Sequence, residues 1–192
     1  MTGIAASPAI VVSRMINASA ERLFDAWLDP DSIAIWLRPG DAPGTSATID
    51  PRVGGHFTIV MNAASPVIHG GTYRVIDRPR RLVFTWSSRM TDDRETQVTV
   101  DFIAQDAAAT PAGAAPASAT PAGAQSTRTP SSRTEVRITH EQLPHEPARL
   151  AHTDGWTDAL RLLEQFAAIG VGAGTHSGAA TQARARESKN EQ

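Results

Sequence analysis

The stretch HTDGWTDALRLLEQFA, residues 152–167, has apolar residues at helical spacing and a glycine set among them. Gly155 costs a helix interior roughly 1 kcal/mol relative to alanine. On a helical wheel Ala148, Ala151, His152, Gly155, Trp156, Ala159, Leu160, Leu163 and Phe166 share one side. Small residues gather in the N-terminal half of that side and large aliphatic ones in the C-terminal half. A sheet held at constant distance from such a helix leaves space over the small end. Either the backbone moves in to close that space, or the space stays open as a cavity walled by Trp156.

The rest of the chain supplies the sheet. AIVVSRMI (9–16) is rich in β-branched residues and reads as a strand. ASAERLFDAWL (18–28) follows as a helix with Ser19 as its N-cap, and DPDSIAIWL (29–37) as a second short helix started by Asp29-Pro30. Six strand signals come next: 45–50, 55–62, 67–77, 81–88, 96–104 and 134–143. Their alternation puts Phe57, Ile59 and Met61 on one face, then His69, Gly71, Tyr73 and Val75, then Leu82, Phe84 and Trp86. Val98, Val100 and Phe102 continue it, and so do Val136, Ile138 and His140. Alternation of this kind describes antiparallel strands with one buried and one wet face. The long C-terminal helix is the element available to cover the buried face. The expected fold class is α+β: a curved seven-stranded antiparallel sheet wrapped around that helix, with two short helices after the first strand.

The 192 residues favour one domain, expected over 8–169. Residues 107–132 contain ATPAGA twice and no aromatic or β-branched aliphatic side chain, so they are expected to be a disordered loop insert. Residues 170–192 are expected to form a disordered tail. The net charge of −2 gives no basic field for nucleic acid or an anionic membrane, and RPRR at 78–81 reads as a solvated turn. With no cysteine, disulfides, thiolate catalysis and cysteine-bound metals are excluded. No secretory leader or membrane-length apolar run is recognised, so the expectation is a cytoplasmic protein.

Several stretches together resemble the activator-of-heat-shock-protein-90-ATPase homologue family of the START-like (SRPBCC) superfamily. They are INASAERLFDAWLDPDSIAIWL (16–37), IDPRVGGHFTIVM (49–61), GGTYRVIDRPRRLVFTW (70–86), VTVDF (98–102), TEVRITHEQLP (134–144) and HTDGWTDALRLLEQF (152–166). They run in the family's order over roughly residues 8–167. The resemblance implies the helix-grip fold and a cavity between sheet and helix, often for an apolar or aromatic small molecule. The family often has two tryptophans in the second short helix, where this chain has Trp36 and Leu37.

The six histidines, His56, His69, His140, His145, His152 and His176, form no HExxH or similarly spaced metal set. His140 faces inward and reads either as a general base or as a polar anchor in a cavity. No cofactor and no metal are expected. The candidate cavity residues are Trp36, Phe57, Met61, Tyr73, Trp86, Val98, Val100, Ile138, His140, Gly155, Trp156 and Leu160. The reading is a domain that binds a small apolar or aromatic molecule, monomeric or homodimeric, with no catalysis assigned. A co-chaperone-like interaction domain and a polyketide cyclase- or hydrolase-like enzyme using the same cavity are the alternatives.

Overall fold

The structure is a computed structural model that describes residues 8–38, 44–62, 64–105 and 133–169. The expected insert (107–132) and tail (170–192) lie outside the described residues. Strand β1 (Ile10–Ile16) leads into helices α1 (Ala20–Ala26) and α2 (Pro30–Trp36). The side chain of Ser19 accepts the Arg22 backbone N–H and that of Asp29 accepts the N–H of Ser32. Each thereby satisfies one of the free donors at a helix start. Pro30, with its fixed φ and missing N–H, opens α2 at no cost. The Trp36 indole donates to the Ala26 carbonyl and pins the two helices together.

Strands β2 (Gly44–Ile49), β3 (His56–Asn62), β4 (Val67–Asp77), β5 (Arg81–Trp86), β6 (Thr96–Gln105) and β7 (Arg133–Glu141) follow, and α3 (Glu146–Ile169) closes the chain. The strands form one antiparallel sheet in the order β1-β7-β6-β5-β4-β3-β2. Strands β2 to β7 run as successive neighbours, and β1 returns to pair with the last. This is the α+β sheet-around-helix architecture that the sequence implies.

The inner face of the sheet and the apolar side of α3 share one core. Ile16, Phe57, Ile59, Tyr73, Leu82, Phe84, Val98, Val100, Phe102, Val136 and Ile138 meet Trp156, Ala159, Leu160, Leu163 and Ala167 there. Helix α3 packs along β1, where Arg14 Nε donates to Glu164 at 2.6 Å. All four tryptophans belong to one chain of ring contacts. Trp36 meets Trp27 at 4.9 Å, Trp27 meets Trp156 at 6.1 Å, and Trp156 meets Trp86 at 5.1 Å.

Two expectations about facing need correction. Alternation places Val75 inward with Tyr73, but Val75 is exposed. A bulge sets Tyr73 opposite Phe84 and Val75 opposite Val83, so the extra β4 residue turns Val75 out and Ile76 inward. On α3, Phe166 is only half-buried and Ala167 holds the fully buried place; Gly155 lies exposed.

Gly71 is required where β4 pairs with β3, directly opposite Phe57. A Cβ there would overlap the Thr85 carbonyl oxygen and stand 2.5 Å from the Phe57 ring. Its absence lets Phe57 lie flat over the strand and join the Tyr73, Phe84 and Trp86 rings.

Candidate functional site

Helix α3 packs along β1 and reaches β7 through the Trp156–His140 bond, and a gap separates its N-terminal half from β3 and β4. The gap is a cavity of about 170 Å³. Helix α3 gives it Ala151, His152, Gly155, Trp156 and Ala159. The sheet supplies Met61, Val67, His69 and Trp86, and Leu37, Arg38 and Met90 complete its edge. Small residues one turn apart on α3 make the opening. A Cβ built on Gly155 meets nothing within 4 Å.

Of the residues expected at the cavity, the structure brings Met61, Trp86, Gly155 and Trp156 to its wall. Trp36, Phe57, Tyr73, Val98, Val100, Ile138 and Leu160 are instead packed in the core. They point to the right side of the sheet, but other side chains already cover them. A second void, of about 10 Å³, lies among Trp27, Phe57, Tyr73, Phe84 and Trp86, and this is room for no more than one water. Burial pushes the Tyr73 phenol upward in pKa.

His140 stands behind the wall and is fully buried. The Trp156 indole N–H donates to His140 Nδ1 at 3.1 Å, so Nδ1 is the acceptor nitrogen. The proton of the neutral ring is then on Nε2, which donates to Thr96 Oγ1 at 2.7 Å. Thr96 Oγ1 passes its own proton to the Trp86 carbonyl at 2.6 Å. Every polar atom in this chain is engaged, and it ties the Trp156 wall of α3 to the backbone of the Trp86 wall on β5. Among the described residues no carboxylate bonds to the ring, and both of its nitrogens are engaged in hydrogen bonds, as a polar anchor requires.

Two further histidines, His152 and His69, line the cavity, and the sequence gives neither a site role. His152 Nδ1 lies 2.8 Å from the Ala148 carbonyl, so it carries the proton and Nε2 is left as an acceptor. His69 stacks on Trp86 at 4.4 Å with the rings 27° apart. Neither His69 Nδ1 nor Trp86 Nε1 has a partner among the described residues, although both are buried. Burial pushes the His69 and His140 imidazoles down to about 3, and the charges of neighbouring groups, His152 among them, add to the effect. Burial also lowers His152, opposed by its bond to Ala148. All three rings are neutral at pH 7. Among the described residues no three His, Asp or Glu side chains gather as metal ligands. No helix among them is long and apolar enough to cross a membrane.

Leu37, Arg38, Val67, His69, Met90, Ala151, His152 and Ala159 line the cavity without having been singled out as candidates. The helical wheel and the inward phase of β4 carried signals for Ala151, His152, Ala159 and His69. Nothing periodic marked Met90, which sits in the 3₁₀ turn Arg89–Thr91.

Comparison with known proteins gives a family and a fold. The model of the family described as Activator of Hsp90 ATPase homolog 1-like protein matches residues 17–111. No relative among the curated proteins matches. A crystal structure of a Chromobacterium violaceum protein is similar at 22% identity and TM-score 0.56, over 84% of this chain and 98% of that one. An Hsp90 activator from Plasmodium falciparum is similar at 19% identity and TM-score 0.57, over 83% and 95%. DynU16, a protein of the dynemicin biosynthetic locus, is similar at 14% identity and TM-score 0.57, over 85% of this chain and 48% of that one. Likeness at these identities carries the fold alone.

Proposed function

We propose, for a chain that belongs to the Activator of Hsp90 ATPase homolog 1-like family, that it binds a small apolar or aromatic molecule in the cavity between sheet and α3. One observation carries this reading. Gly155 stands at the exposed mouth of the cavity, where a Cβ would meet nothing within 4 Å among the described residues, and the apolar side chains of Met61, Val67, Trp86 and Trp156 line the space behind it. An apolar wall with a few polar groups is the ordinary makeup of a small-molecule site.

The enzyme alternative cannot rest on His140 as it stands, because that ring is engaged at both nitrogens. The chaperone alternative leans on the family's name and on one neighbour described as an Hsp90 activator. The discriminating experiment is native mass spectrometry of the protein purified from its own host. A retained small molecule that is lost in Gly155→Leu supports the cavity. Its absence in both, together with complex formation between the unmodified chain and a chaperone ATPase, would move the assignment to a co-chaperone.

A further inference from the structure

Resting on that reading of the cavity, we infer that its ligand is a neutral, single-ring aromatic molecule bearing a hydroxyl group, with the hydroxyl oxygen bonded by Trp86 and His69. Size sets the ring count. A dry apolar cavity of about 150 Å³ holds one benzene, and this one has about 170 Å³. The walls favour a flat, polarisable occupant. Trp86 and Trp156 stand 5.1 Å apart at 55°, and Met61 and Met90 offer sulfur to a ring edge.

The polar atoms decide the substituent. Trp86 Nε1 is a donor with no acceptor, and His69 Nδ1 is likewise unpartnered. Leaving two such atoms buried is costly, and most buried polar atoms in proteins do find partners. Stacking sets the two ring centroids 4.4 Å apart at 27°, so the two unpartnered nitrogens belong to neighbouring rings that both line the cavity. A hydroxyl accepts from an indole N–H and serves an imidazole nitrogen in either neutral tautomer, donating to a lone pair or accepting from an N–H. A ketone oxygen would serve the imidazole only in the tautomer with the proton on Nδ1, and a methyl group would serve neither ring. His152, with Nε2 free to accept, offers a further partner on the same wall.

Charge sets the rest. His69 and His152 are neutral, so no fixed charge inside answers a carboxylate or an ammonium group. The formal charge on the lining is that of Arg38, exposed at the rim. An ionised ligand would leave water without compensation.

The test uses the full chain and two isosteric probes, phenol and toluene, titrated by calorimetry. Phenol is expected to bind at least tenfold more tightly. Trp86→Phe keeps the ring and deletes the N–H, and His69→Phe removes the imidazole nitrogen. Each is expected to cut the preference to threefold or less while toluene affinity stays within threefold of the unmodified chain. Equal affinity for both probes in the unmodified chain would overturn the hydroxyl assignment and leave the cavity standing. Failure of both probes to bind, or binding that survives Gly155→Leu unchanged, would overturn the cavity reading itself.

Discussion

Gly155→Ala separates an open cavity from a closed contact by the sign of one stability change. The helix gains roughly 1 kcal/mol of propensity when glycine becomes alanine. Part of that gain comes from the unfolded chain, which loses conformational freedom. The added methyl meets nothing within 4 Å, so no clash opposes the gain. The expected result is a stabilisation of up to about 1 kcal/mol, or about 2–4 °C in Tm for a chain of this size. Urea unfolding followed by helix circular dichroism reads it directly. Gly71 provides the opposite case within the same protein. There a Cβ would overlap a backbone carbonyl oxygen that cannot rotate away, so Gly71→Ala is expected to cost about 3 kcal/mol or more. Destabilisation of Gly155→Ala by 1 kcal/mol or more would refute the reasoning, for it would mean that α3 rests on the sheet at this point. Gly155→Leu, with four carbons in the mouth of the cavity, should still fold and should exclude a ligand.

The buried histidines make the fold acid-sensitive. His69 and His140 are held down to about 3 by burial and titrate near 6.5 when unfolded, so the stability they confer is complete above pH 6.5 and falls as pH drops toward 3. Each contributes a loss of about 1.4 kcal/mol per pH unit below 6.5, and chemical denaturation at pH 7.0, 6.0 and 5.0 should show it. A flat profile over that range would mean that these rings are reached by water. His140→Ala leaves the Trp156 N–H unpaired and opens a void, so it should cost about 3–5 kcal/mol and weaken cavity binding by loosening Trp156. A measured reaction that drops 100-fold or more in that variant would instead place His140 in chemistry.

What was legible in the sequence divides along a physical line. The strands were legible because a sheet wet on one side must alternate, and α3 because a helix buried on one side repeats every 3.6 residues. The bulge at Tyr73–Val75 left no mark, since neither glycine nor proline stands there and the extra residue is chosen by pairing with β5. The cavity was half legible. Its helical wall follows from residue size, and Ala151, Gly155 and Ala159 sit where that argument puts them. The opposite wall does not follow, because alternation gives the side of the sheet and not the distance to the helix. Val98, Val100 and Ile138 point inward from β6 and β7, next to the side on which α3 leans, and they are covered. Met61 and His69 point inward from β3 and β4, farther from that contact, and they face the gap. The tilt that separates these two sets is fixed by tertiary bonds, among them Arg14 to Glu164 and Trp156 to His140. Each joins residues far apart in the chain, so no local window contains it. A polar side chain at an inward strand position does not by itself mark such a gap: His140 and His69 both point inward, but α3 reaches His140 through the Trp156 indole, whereas His69 lines the cavity and its Nδ1 has no partner among the described residues.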